Sequence, residues 1–160
     1  MAGNKDKVSE YRRGILNTLN NSQKIVELVG GEWNEEDPIS YVYEYFFPIE
    51  YIEGVVGEAK TFINFDMAVH LNNNKTYKDV TIWFFISSHA ADMRAPGGLK
   101  PDLITSELEE LFNDKNVLGI GKGLFVSNVP YKPNEKFRGR LLTYKIIDFS
   151  KGGWLLCGIS

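Results

Sequence analysis

The chain has 160 residues, a length that fits one domain, here 1–160, with a core over about 8–149 and a short tail over 150–160. It is 43% hydrophobic and 24% charged with a formal net charge of −3, an ordinary globular balance that argues against non-specific DNA binding and for no sequence-specific nucleic-acid partner. The one cysteine, Cys157, cannot form an internal disulfide. No apolar run reaches the roughly 18 residues of a membrane span, and the start, Met1 to Lys7, lacks the apolar centre of a signal peptide. A soluble cytoplasmic product with no membrane partner is expected.

Val8, Tyr11, Ile15 and Leu19 recur at three- and four-residue steps, which predicts an amphipathic helix. Ser22 is placed to cap a second short helix over Ile25, Val26, Leu28 and Val29, and Gly30-Gly31 ends it. Glu32 to Ser40 is an acidic loop. Tyr41 to Ile52 is dense in aromatic and β-branched residues and predicts a strand that Pro48 confines to an edge or ends; Gly54 and Gly57 mark the next turn.

Thr61, Ile63, Phe65, Met67 and Val69 alternate with mostly polar neighbours, Phe62 excepted, and predict a half-buried strand. Asn72-Asn73-Asn74 is a turn. Val80 to Ile86 carries apolar residues on both parities, Trp83 and Phe85 included, and predicts a central strand covered on both faces. A loop over His89–Pro101, expected to be mobile, leads into a helix with Leu103, Ile104, Leu108, Leu111 and Phe112 on one stripe and Pro101 in its first turn. Leu118–Val129 and Phe137–Phe149 read as strands joined by a Pro130–Lys136 loop, and Gly152-Gly153 precedes an apolar tail. Short turns between these runs favour antiparallel pairing. The expected fold is α+β: a two-layer sandwich with a mainly antiparallel mixed sheet and helices on one face.

The motifs carry little chemistry. Gly119-Ile120-Gly121-Lys122-Gly123 resembles a phosphate cradle, but it lacks the spacing of a P-loop and a strand follows it, so a turn or bulge is the simpler reading. His89 with Asp92, and His70 with Asp66, fall short of the three or four converging ligands of a metal site. Ser88 and His89 are adjacent on an extended chain and point apart. No enzyme, metal or cofactor is expected. Arg138 and Arg140, with Lys136, share one strand parity, which suits a solvated edge or a basic stripe touching an acidic partner or DNA.

The element order and several local patterns resemble the tail-terminator, or tail-completion, proteins at the neck of long-tailed bacteriophages. The resemblance rests on the early helix ending in Ile25-Val26-Glu27-Leu28-Val29-Gly30 and on the loop with Arg94 and Asp102. It rests equally on the helix Leu103 to Phe112 and on the last strand, Phe137-x-Gly139-Arg140-x-Leu142-x-Tyr144. The resemblance implies a structural protein of the virion neck, made in a bacterial host, that forms a ring, typically a hexamer, on the tail tube. Its implied partners are further copies of itself, the tail-tube protein and the head-closure or connector protein. Asp92, Arg94, Lys100, Asp102, Arg138 and Arg140 are the candidate interface residues. Other neck or head-closure components, a monomeric binding module and a metal-dependent hydrolase using His89 and Asp92 stand as alternatives.

Overall fold

The computed structural model describes residues 7–49, 58–71, 78–119 and 121–148. The expectations for residues 50–57, 72–77, 120 and 149–160, including the turns at Gly54, Gly57 and Asn72 to Asn74, Phe149, and the tail with Cys157, lie outside them.

Helix α1 spans Lys7–Asn20 and α2 spans Gln23–Val29. Tyr11, Ile15 and Leu19 are the buried stripe of α1. Ser22 caps α2 by accepting from the Ile25 N–H, and Gly30 ends it with φ of 100°, a left-handed conformation that glycine adopts at no steric cost. Both ends of this short helix are therefore written in its sequence.

Over its described part, residues 41–49, the strand expected from Tyr41 to Ile52 shrinks to β1, Phe46–Phe47. Tyr43 has φ of 63°, and the Tyr41 carbonyl accepts from the N–H groups of Glu44, Tyr45 and Phe46, so the aromatic run coils into a tight turn. Strand β2, Thr61–Leu71, and β3, Lys78–His89, pair antiparallel over their whole lengths, with Phe65 opposite Phe84. Strands β4, Arg94–Ala95, and β5, Gly98–Leu99, form a two-stranded hairpin before α3, Lys100–Phe112. Strand β6, Leu124–Asn134, and β7, Phe137–Asp148, complete the main sheet.

The sheet order is β1-β2-β3-β7-β6, with β1 parallel to β2 and every other pairing antiparallel. The α+β class and the mixed, mainly antiparallel sheet match the expectation. Ile63, Phe65, Val80, Ile82, Phe84, Leu142, Tyr144 and Ile146 join the buried stripes of the three helices in one core. Phe84 is its centre, with ring centroids 5.0 Å from Phe112, 6.2 Å from Phe65 and 6.3 Å from Tyr144.

The second face of the sheet differs from the expectation. Phe62, the residue that breaks the β2 alternation, packs there with Phe47 and Phe137 in a smaller buried cluster. Trp83 and Phe85 stay half-buried, so β3 is central in strand order but fully covered on its helical face alone.

Two loops also differ. The His89–Pro101 segment is folded: Ala90–Asp92 form a 3-10 turn and the hairpin β4–β5 follows. Pro96 and Gly97, the latter with φ of 100°, supply the tight turn. The Pro130–Lys136 segment is largely strand, because β6 starts at Leu124 and runs on through Pro130 and Pro133. Prolines are tolerated there because β6 is an edge strand whose outer side requires no ladder donor.

Candidate interaction surfaces

The candidate residues fall into two groups on the helical side of the sheet. The first surrounds the end of β3. Lys100 Nζ lies 2.7 Å from Asp92 Oδ1, and the Thr61 hydroxyl donates to Asp92 Oδ2 at 2.9 Å. Thr61 Oγ1 and Ser88 Oγ are 2.8 Å apart. The pair Asp92–Lys100 therefore clamps the 3-10 turn and the start of α3 onto the β2–β3 ladder. Its two residues are mostly shielded from solvent, and their role is to fold the segment.

Arg94 and Asp102 do not meet. Asp102 is exposed in the first turn of α3, where a carboxylate favours the positive end of the helix dipole. Arg94 opens the hairpin and borders a groove of about 580 Å³ between α2, α3 and the hairpin. The apolar residues Leu28, Pro96 and Leu103 line this groove along with charged Lys24, Arg94 and Glu107.

His89 and Asp92 are likewise separated in role. His89 Nδ1 accepts from the Ala91 N–H and so caps the 3-10 turn, while its ring meets Phe137 edge-on at 5.2 Å. Ser88 lies on the opposite face of β3, bonded to Thr61. On β2, Asp66 pairs with Arg12 at 2.7 Å. Among the described residues, no three of His, Cys, Asp and Glu converge on one point.

The second group is on β7. Arg138 folds back over its own hairpin and donates to the carbonyls of Asn134, Glu135 and Phe137. Arg140 reaches the neighbouring strand, where its Nε donates to Asn128 Oδ1 at 2.8 Å and a terminal nitrogen to the Asn128 carbonyl at 3.1 Å. The two arginines stand in register with Ser88 and Ile86 of β3, on the helical face. Arg138 is exposed and Arg140 half-buried.

Strand β6 is the surface that the sequence did not single out. Leu124, Phe125, Val126 and Val129 expose 48%, 47%, 54% and 42% of their surfaces. They lie on the sheet's outermost strand, with a bulge between Phe125 and Ser127. A monomer normally guards such an edge with charge, proline or a bulge. Here Pro130, Lys132 and Pro133 guard the far half, and the near half keeps the bulge alone. The available signal was the alternation failing: Leu124-Phe125-Val126 is an apolar triplet that cannot turn all its side chains inward.

Three ionisable groups among the described residues are displaced upward from their ordinary range, the Tyr45 phenol chiefly by burial. Burial pushes the Tyr144 phenol far up, with the Glu109 charge adding to it. Lys60 is raised chiefly by its hydrogen bond to Glu58, 2.9 Å away, and its ammonium stands 5.4 Å from the centre of the Tyr45 ring.

A model of the YomW family matches residues 14–146, from the middle of α1 to the last core position of β7. No curated protein matches the chain.

Proposed function

Because the chain belongs to the YomW family, a phage-derived family of the Bacillus phage SPbeta-like kind, we propose that it is a structural assembly protein of a tailed-phage virion, of the tail-terminator type. In this reading it is made in the host cytoplasm and joins the virion neck. There it forms a ring, taken as a hexamer, that caps the tail tube and meets the head connector. It works through surfaces, without catalysis or a cofactor.

The observation that supports this reading is the open apolar half of β6. An exposed edge strand presents a row of backbone donors and acceptors together with apolar side chains, and both are satisfied by a protein partner. Four large apolar side chains within six residues of one edge exceed the scattered exposure of an ordinary monomer surface. The groove beside Arg94 offers a second, mixed apolar and charged surface for a different neighbour, as a ring placed between tube and connector requires.

The test is mass in solution over a range of concentrations, joined to negative-stain images with and without tail-tube protein. Rings, free or on tube ends, are the expected result. A monomer that never decorates tube ends overturns the reading and favours the monomeric binding module.

A further inference from the structure

Two segments bordering the lateral sides of the sheet carry opposite charge, although Arg12 and Lys60 add cations, each paired with a carboxylate, to the β1–β2 side. Residues 32–49, leading into β1 and just past it, hold Glu32, Glu35, Glu36, Asp37 and Glu44 and no Lys or Arg. All five acids are exposed. Among the described residues none of them lies within ion-pair distance of a cation. The segment is tied to the β1 side: the Tyr41 hydroxyl accepts from the Glu32 N–H at 2.7 Å and donates to the Glu32 carbonyl at 2.9 Å.

On the other side, residues 121–147 hold six cations against Glu135 alone. Lys122, Lys132 and Lys145 have carboxylate partners in their own chain. Lys136 and Arg138 are exposed and have none among the described residues.

Strand direction adds an independent match. Between β2 and β6 the sheet makes three antiparallel steps, so β6 runs opposite to β2. A copy moved sideways therefore offers β6 to its neighbour's β1–β2 edge in antiparallel sense. The levels agree too. Leu124 stands in line with Lys145, Thr81 and Ala68, and Val129 with Leu141, Phe85 and Asn64. Strand β1 pairs with Ile63 and Asn64 of β2, and the outer edge of β2 beyond Asn64 has no strand partner among the described residues. The open half of β6 and the stretch of β2 without a strand partner among the described residues, where Arg12 bonds Asp66 and the Pro48 carbonyl, thus sit at the same height on opposite sides of the molecule.

We propose that the partner of the β6 edge is a second copy of this chain, docked head to tail. The β6 edge with Lys136 and Arg138 of one protomer meets the acidic 32–44 side and the β1–β2 edge of the next. This inference rests on the ring reading above and names its interface. Two different surfaces cannot satisfy each other in a two-fold dimer; they generate a ring if the rotation closes. The opposite charges speed and orient the encounter, and they repel a copy arriving edge to like edge.

The test uses two variants of the full chain. One carries Lys136→Glu with Arg138→Glu; the other carries Glu35→Lys, Glu36→Lys and Asp37→Lys. All these side chains are exposed, so circular dichroism should show both variants folded. Sedimentation should show each variant associating with itself at least about tenfold more weakly than the native chain. An equimolar mixture should recover association, because each reversed side now matches the other variant. Native-like self-association of either variant, or a mixture that stays apart, overturns the head-to-tail interface. If the native chain still forms rings, the terminator reading survives that result. A native chain that is monomeric at every concentration and on tube ends overturns both.

Discussion

Arg140 holds Asn128 at two points, side chain and main chain, across the β6–β7 ladder. This makes Arg140 a brace for the exposed edge strand, where the sequence offered it only as a surface charge. Its neighbour Arg138, two residues away on the same face, curls over its own hairpin and stays exposed. Two arginines of one stripe thus serve different ends.

The first prediction separates them. Arg140→Ala removes charge-assisted hydrogen bonds from a half-buried position and leaves Asn128 short of a donor, which should cost about 1–3 kcal/mol. Arg138→Ala, at an exposed position near the start of β7, should cost less than about 1 kcal/mol. Urea denaturation of both variants checks this, and equal losses would show that the brace is not acting.

The second prediction concerns adjacent aromatics on β3. Phe84 is fully buried against Phe65, Phe112 and Tyr144, and Phe84→Ala should cost about 3–5 kcal/mol. Trp83 lies on the half-covered face, and Trp83→Ala should cost about 1–2 kcal/mol, in proportion to the smaller area it buries. A Trp83 loss as large as that of Phe84 would mean that the second face is covered in solution.

These two residues also mark how far the sequence could be read. Period-two alternation located β2, an apolar run on both parities located β3, and the signals at Ser22 and Gly30 fixed α2 at both ends. Alternation cannot say what covers a face, so apolar residues on both parities of β3 overstated its burial. It also failed over residues 41–45, because aromatic spacing carries no information about Tyr43 adopting a positive φ. The hairpin at Arg94 to Leu99 has a local signal in Pro96-Gly97, a turn pair, but two-residue strands are too short to show an alternation. Of the candidate site, the charged residues were visible by type. Their partners were not: Asp92 joins Lys100 through the path of a 3-10 turn, and Arg140 joins Asn128 through strand register.

Tyr144 gives a prediction with a pH sign. Its ring is buried in the core, and its hydroxyl has no hydrogen-bond partner among the described residues. Burial holds the folded phenol neutral well above its ordinary value of 10.0. In the unfolded chain the phenol ionises near that value. Above it, the folded state binds more protons than the unfolded state, so stability is full below the unfolded value and falls as pH rises past it. Tyr144→Phe removes this dependence and an unpaired buried hydroxyl together. It should be neutral or stabilising by up to about 1 kcal/mol at pH 7. Its advantage over the native chain should widen above about pH 10. Thermal unfolding of both proteins from neutral to alkaline pH measures the gap; a constant difference would show that the hydroxyl reaches water.

The last prediction tests whether the β6 edge is an interface or only an untidy surface. Leu124 and Val126 are about half exposed, and neither belongs to the buried core, so replacing them should leave the fold nearly as stable as before. Leu124→Lys with Val126→Lys should change unfolding free energy by less than about 1 kcal/mol. Each lysine would still meet any strand laid along this edge, and an ammonium brought into a closing apolar contact must lose its water without gaining a partner. Natural edge strands use lysine for the same purpose, to keep other strands away. The double variant should therefore fold normally, remain monomeric where the native chain assembles, and fail to decorate tail-tube ends. Sedimentation and electron microscopy read association, and denaturation provides the control. If the variant assembles like the native chain, the β6 edge faces solvent in the assembly, and the ring reading loses the observation that supports it.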